Sequence, residues 1–270
     1  MRWLVVGCGY TGRALARALI ARGDDVTVTR RDAAAATHIA TELGARGLGY
    51  DLAAPLTTPA DAVVVCLAPP GADPAREMAH LAGAGAARVV YASSTGVYAP
   101  GGGAWVDEAF PTAPTTAAGR ARLAAEHALA ASAPGAVRLR AAGIYGPDRS
   151  LVDRLRAGSY RIVGDGRACV SRVHVDDLVA AIVAAGTSAI AGPVNIADDD
   201  PAPIGEVADA LAAAIGVPAP PRVPVAQVDP ELAGMLAADR RIANARMKRE
   251  LGVALRHPSW RGLLAAATTA

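Results

Sequence analysis

The chain has 270 residues, a formal net charge of +2, 52% hydrophobic residues, 19% charged residues and only 4% aromatics. That length implies one or two domains with a substantial core, while so small a charge gives no bulk attraction to nucleic acid or an anionic membrane and so few rings leave no stacking platforms for single strands. Cys8, Cys66 and Cys169 are too widely spaced for a metal-ligand or disulfide pattern, and with no basic-then-apolar leader and no long apolar run, a soluble, reducing, cytoplasmic setting is expected.

Residues 3–6 form a short apolar run that ends in glycine, and residues 11–22 carry Leu15, Ala18 and Leu19 at helical spacing. Between them, Gly7-Cys8-Gly9-Tyr10-Thr11-Gly12 fits G-x-G-x-x-G. Gly7 suits the tight turn, Gly9 the close approach of a pyrophosphate, and Gly12 the packing of helix against strand. The helix N-terminus then offers N–H groups and a positive dipole end to phosphate. The motif is weak alone, but here it follows a strand and opens a helix at the start of a βαβ unit, as dinucleotide binding requires.

A β-branched strand is predicted at 25–29, and its tip carries Arg30 and Arg31 where NAD-binding chains place an acid. Two guanidiniums suit the 2′-phosphate of NADP; the other possibility is that they are solvated and Asp32 takes the ribose. NADP is the expected cofactor, with NAD the alternative. Further strands are predicted at 49–52, 62–67, 88–92 and 136–140, and a helix at 114–130. Continuous apolar strands alternating with helices indicate a parallel sheet covered on both faces, a doubly wound α/β Rossmann fold. Beyond Pro147 the rhythm changes. Helices are predicted at 150–157, 173–185 and 204–215, a strand at 194–197, and a proline-rich separator at 218–224. The expected division is a nucleotide-binding domain at 1–147, to which 173–197 returns, and a smaller substrate-capping region at 148–270.

Several segments together resemble the extended or atypical short-chain dehydrogenase/reductase superfamily, in its NAD(P)-dependent epimerase/dehydratase branch. They are the glycine motif, Tyr50-Asp51-Leu52, the stretch from Val89 through Ser93-Ser94-Thr95 to Tyr98, and Ala142-Gly143-Ile144-Tyr145-Gly146-Pro147. Val173-His174-Val175-Asp176-Asp177-Leu178 and Val194-Asn195-Ile196 complete the series over nearly the whole chain. Arg240-Arg241-Ile242-Ala243-Asn244-Ala245-Arg246, followed by Glu250-Leu251-Gly252, resembles a small atypical subgroup. The resemblance implies that Asp51 and Leu52 contact the adenine, that Ala68 lies along the cofactor and that Ile144 lies near the nicotinamide. It also implies that Ser94 hydrogen-bonds the reacting oxygen of a substrate. His174 reads better as a structural tie, and Tyr98 as packing.

The resemblance breaks at the proton-transfer pair. The superfamily uses Tyr-x-x-x-Lys on a helix, where the ammonium one turn away lowers the phenol pKa. Ala118 and Arg122 stand at those two positions. No tyrosine occurs between Tyr98 and Tyr145, and Lys248 is the only lysine in the chain. Arg122 can hydrogen-bond the cofactor ribose, but a guanidinium does not exchange its proton near neutrality. A substitute acid has to come from Tyr98, Tyr145, His174 or water. Val170 stands where sugar-nucleotide epimerases carry a phosphate-binding arginine, which makes such a substrate less expected even with Arg149 and Arg172 nearby. Two functions remain open: an NADP(H)-dependent oxidoreductase or epimerase acting on a small carbonyl or hydroxyl substrate, with Ser94, Tyr145 and Arg122 as its catalytic candidates, and a catalytically silent NADP(H) sensor. A small-molecule substrate is expected, with no nucleic-acid or membrane partner, and a homodimer through the helix at 114–130 is the expected assembly.

Overall fold

The structure is a computed structural model, and it describes residues 1–264. The first half runs β1 (Arg2–Val6), α1 (Tyr10–Ala21), β2 (Asp25–Arg30), α2 (Ala33–Leu43), β3 (Arg46–Gly49), β4 (Ala62–Cys66), α3 (Pro74–Ala82) and β5 (Arg88–Ser94). A single 3-10 turn (Thr95–Val97), the short β6 (Trp105–Val106), α4 (Ala117–Ser132) and β7 (Val137–Ala141) follow. The second half comprises β8 (Gly143–Tyr145), α5 (Leu151–Arg156), β9 (Ile162–Val163), β10 (Cys169–Val170), β11 (Arg172–His174) and α6 (Val175–Thr187). It ends with β12 (Gly192–Ile196), β13 (Ala202–Pro203), α7 (Ile204–Ala214), β14 (Arg222–Val223), α8 (Pro230–Leu236), β15 (Arg241–Ile242) and α9 (Ala245–Leu251).

Seven strands make one sheet in the order β12-β7-β5-β4-β1-β2-β3, and every neighbouring pair is parallel. Helices make most of the crossovers, the β3–β4 connection at 50–61 being a loop, and they cover both faces. Leu15 and Leu19 of α1, Ile182 of α6 and Met247 of α9 pack on one face, and Met78 and Leu81 of α3 with Ala125 and Leu129 of α4 pack on the other. This is why all of β4 (Ala-Val-Val-Val-Cys) is buried and carries no alternation. The strand order reverses between β1 and β4. Ligands of such sheets bind in the crevice that opens there, beyond the strands' carboxyl ends.

Two predicted elements end up elsewhere. The strand expected at 49–52 lies at Arg46–Gly49, where it has Thr27–Arg30 of β2 to pair with. Glycine at 47 and 49 gives poor strand propensity, yet it lets α2 lie close: a Cβ on Gly47 would come within 2.7 Å of the Ala36 carbonyl oxygen. Packing thus overrides propensity. The chain then leaves the sheet, and buried Leu52 adopts φ 70°. The helix expected from 173 begins at Val175, because Arg172, Val173 and His174 pair with Gly143, Ile144 and Tyr145. The His174 ring then caps the helix, with Nδ1 accepting the Asp176 N–H at 3.2 Å.

A buried polar network fixes the end of β5. Arg140 donates to both oxygens of buried Glu126 on α4, with the shortest contact 2.7 Å, and its guanidinium lies 4.7 Å over the Tyr98 ring. The Tyr98 hydroxyl donates to Asn195 Oδ1 at 2.7 Å, and the Asn195 N–H donates to Glu108. A buried ion pair is retained here with nearly complete hydrogen bonding, which is what keeps its desolvation affordable. Losing one partner would loosen the chain just beyond Ser94. Among the described residues, no helix is long and apolar enough to cross a membrane.

Candidate functional site

The first cleft, of about 590 Å³, opens at the switch point beyond β1, β2 and β4. Gly7 sits at φ 90°, and a Cβ there would meet the Ala68 backbone nitrogen at 2.7 Å. Gly12 would press a Cβ to 2.8 Å from the Gly7 carbonyl oxygen. A Cβ on Gly9 would meet nothing within 4 Å, so its backbone faces the open cleft. Gly9 also begins α1 without a side-chain cap, and no acid lies in the first turn. The other long helices that start near the cleft are capped: Asp32 serves α2 and Asp73 serves α3. An uncapped helix start facing an open cleft fits a pyrophosphate.

Arg30 and Arg31 are both exposed on the rim of this cleft. Asp32 lies between them and α2, and its Oδ1 accepts the Ala35 N–H at 2.7 Å. That carboxylate is spent on capping a helix. Asp51 and Leu52 line the far wall, where Asp51 closes its own turn by accepting from Ala53 N–H and His80 of α3 donates to the Leu52 carbonyl oxygen at 2.8 Å. Burial pushes the Tyr50 phenol beside them up to about 12. Glu77, whose carboxylate accepts the Gly71 N–H at 2.8 Å, also lines the cleft and was not singled out by the sequence.

Of the remaining nucleotide candidates, Tyr10, Thr11, Gly12 and Ile144 are not among the residues that line the cleft. Tyr10 donates its hydroxyl to the Pro147 carbonyl oxygen at 2.9 Å, and Gly12 closes α1 onto the turn. Arg122 reaches from α4 to the end of β5 and donates to the Ala92 carbonyl oxygen at 2.9 Å.

Ser94 ends β5, next to β4, and borders a second cleft of about 220 Å³. Its Oγ accepts the Gly96 N–H at 3.0 Å, which leaves the hydroxyl proton to be donated elsewhere. The cleft is walled by the Ser94 turn, the end of β7 at Ala142, β10 at Cys169, and α8 with Met235. No Asp, Glu, His, Lys or Tyr lines it; Arg240 carries its one formal charge. Burial raises the Cys169 thiol above its ordinary range. Ala118 is exposed near the mouth, and α8 lies over it: Glu231 accepts the N–H groups of Ala117 and Ala118 at 2.9 and 2.8 Å. Those backbone hydrogen bonds hold the Glu231 carboxylate below the usual range, so it stays ionised.

None of the three candidate acids lines either cleft. Tyr98 is fully buried and bonded to Asn195, and burial pushes its phenol up to about 12. Tyr145 packs edge-on against His174, with ring centroids 5.1 Å apart, and burial raises its phenol further. His174 stacks on His257 at 3.6 Å, and burial lowers its pKa. His174, Asp176 and His257 present ligand-type atoms within 4.8 Å of one another. Both imidazoles approach the same Asp176 carboxylate oxygen at 3.5 Å, and Nδ1 of His174 already serves the helix cap.

Residues 71–197 match the NAD dependent epimerase/dehydratase family, and residues 3–90 match the family described as NADP oxidoreductase coenzyme F420-dependent. The chain is 34% identical to the 3-diazoavenalumate denitrifying reductase of a Streptomyces species, across 97% of this chain and 98% of that one. It is 32% identical to a solved conserved protein of unknown function from Silicibacter pomeroyi, with a TM-score of 0.85 over 99% of this chain and 98% of that one. A human epimerase family protein solved with NADPH shares the fold at 21% identity and a TM-score of 0.81, covering 100% of this chain and 99% of that one. The cofactor is NADP, with NAD the alternative.

Proposed function

The chain belongs to the NAD(P)-dependent epimerase/dehydratase family of the extended short-chain dehydrogenases/reductases, and on that premise we propose that it is an NADP(H)-dependent reductase of a small organic electrophile bound beside Ser94. The observation that carries this is the second cleft. It adjoins the end of β5, presents a free Ser94 hydroxyl proton, and has no titratable proton donor in its wall beyond a buried thiol. When bound, the nicotinamide supplies or accepts hydride, chemistry that needs mainly orientation.

The chain's own residues divide the rest of the work. Gly7, Gly9 and the start of α1 seat the pyrophosphate, and Arg30 and Arg31 clamp the 2′-phosphate. Asp51 and Leu52 form the adenine wall with Ala68 along the cofactor. Arg122 fixes the end of β5 and reaches toward the ribose. Ser94 donates to the electrophile's heteroatom. Tyr145 packs against His174 and takes no proton-transfer role in this reading.

Two electrophiles fit a site without a strong acid. With a carbonyl, Ser94 polarises the oxygen and water supplies the product's hydroxyl proton. With an aryl diazonium, as the name of the Streptomyces relative suggests, the acceptor already carries a positive charge. Hydride forms the new C–H bond with its electron pair, the C–N bond breaks, N₂ leaves, and the protein gives up no proton.

The test is NADPH oxidation with 2-diazophenol and, separately, with a panel of aromatic aldehydes. Turnover with either class is expected. Ser94→Ala should lower kcat for aldehydes by about a hundredfold, the usual worth of an oxyanion donor, and change diazophenol turnover little. If no member of either class oxidises NADPH while NADP(H) binds normally, the chain is a cofactor sensor and the reductase reading is wrong.

A further inference from the structure

Arg240 is buried, 8% exposed, on the wall of the Ser94 cleft. Its Nε donates to the Ala99 carbonyl oxygen and its Nη2 to that of Tyr98, both at 2.9 Å, and Nη1 donates to the Thr95 carbonyl oxygen. A guanidinium has five N–H donors, so one remains on each terminal nitrogen. No carboxylate pairs with Arg240 among the described residues, and burial lowers its pKa. Of the two other comparably buried arginines, Arg140 is neutralised by Glu126 and Arg172 has Asp198 as its nearby opposite charge. Arg240 has only carbonyl dipoles.

A buried cation without a counter-charge is costly, and fixing the backbone does not require one to line a cleft. The cleft wall also lacks any acid that could neutralise it. The rest of that wall is suited to an apolar body: Ala142, Met235, Leu236 and Ile242 face the same space. Its volume of about 220 Å³ is below the roughly 300–1,000 Å³ of ordinary ligand pockets. One ring and a short chain fit; a nucleotide sugar does not.

We infer that the Ser94 cleft selects a small, ring-bearing carboxylate, whose anionic head group completes the charge of Arg240. This rests on the reading of that cleft as the substrate site. The carboxylate takes the two free N–H groups of Arg240, while the apolar body lies between Met235 and Ala142 and presents its reactive atom to Ser94. Arg240 has a second consequence in the same place, because the carbonyl oxygens it holds belong to the turn directly after Ser94. An empty cleft leaves that guanidinium bonded to the turn alone, and an occupied one adds a charge-assisted pair.

The experiment is calorimetric titration of the NADP⁺-loaded protein with trans-cinnamate and with its neutral isostere, trans-cinnamamide. The wild-type protein should bind cinnamate at least about tenfold more tightly than the amide, the usual worth of a charge-assisted hydrogen bond over a neutral one. Arg240→Gln should abolish that preference, and Arg240→Lys should keep part of it. NADP⁺ affinity within about twofold of wild type reports that the variants remain folded, and the acid-versus-amide comparison in the wild-type protein needs no variant. Equal affinity for acid and amide in the wild type, no measurable cinnamate binding, or a preference that survives Arg240→Gln in a variant that still binds NADP⁺ would each overturn the inference. Because the readout is binding, absence of turnover in the NADPH assay leaves this result interpretable.

Discussion

Replacing Arg30 and Arg31 together with alanine isolates the part of the cleft that distinguishes NADP from NAD. Both side chains are exposed on the rim, and the cleft's other charged side chains, Asp32, Asp51 and Glu77, are carboxylates, so no other cation lines it to take the 2′-phosphate. A charge-assisted hydrogen bond is worth about 1.5–3 kcal/mol when shielded; at a solvent-exposed rim up to about 1 kcal/mol per arginine is the appropriate range. Two arginines then contribute up to about 2 kcal/mol, which at about 1.4 kcal/mol per decade is a loss of NADP(H) affinity of up to about 30-fold. NAD(H) lacks the phosphate, and its affinity should change by less than about threefold. Fluorescence titration of NADPH and NADH against wild type and the double variant measures both. Unchanged NADP(H) affinity, or equal weakening of both cofactors, would show that the two arginines do not read the 2′-phosphate.

Three further outcomes follow from particular contacts. Gly12→Ala drives a Cβ to 2.8 Å from the Gly7 carbonyl oxygen, which should cost about 1–3 kcal/mol, lower the Tm by a few degrees and remove the thermal shift produced by NADP⁺; an unchanged shift would show that the turn tolerates the methyl. Burial raises the Asp198 carboxyl from 3.8 to about 7. The folded state therefore keeps a proton that the unfolded state loses above about pH 4, so this contribution to stability is full below that pH and is lost as pH rises through 7. Urea midpoints should fall over that window in the wild type by up to about 4 kcal/mol in ΔG and flatten in Asp198→Asn; a midpoint that rises with pH in both proteins contradicts the assignment. Glu231→Ala removes the acceptor that ties α8 to the start of α4. Amide exchange at 230–236 and at Ala117 and Ala118 should then accelerate about tenfold or more, with β4 unaffected, because the tie lies outside the core.

The nucleotide half of the molecule was legible because its signals are local. A glycine turn between a strand and a helix needs only residues 3–22 to be recognised, and the paired arginines stand at the tip of the next strand. The Rossmann fold and the epimerase/dehydratase relationship could be read for the same reason. Where packing decided, the sequence misled. Gly47 looks unlike a strand, yet the lack of side chains at Gly47 and Gly49 is what lets α2 approach β3. Val173 and His174 look helical by their neighbours, but pairing with β8 holds them extended. The substrate cleft was the least legible part. Arg240 stood in a recognisable run, yet its place beside Ser94 depends on a chain return over 145 positions. Glu231 reaches Ala117 and Ala118 the same way, across 114 and 113 positions, whereas Glu77 meets Gly71 six residues back; no spacing rule points to either. The absence of tyrosine at 118 and lysine at 122 was legible outright, and the acid-free wall of the second cleft is its spatial counterpart.

The central claim is a reductase whose protein supplies orientation and charge but no titrating acid. The most direct measurement is the pH dependence of kcat for NADPH-driven reduction of 2-diazophenol between about pH 6 and 9, at saturating cofactor. Turnover with a profile flat to within about twofold is expected, since no group lining the Ser94 cleft changes protonation in that range. A profile that falls through a single pKa near neutrality would reveal a protein acid at the reacting atom and contradict it, as would NADPH binding with no oxidation of the cofactor by any electrophile.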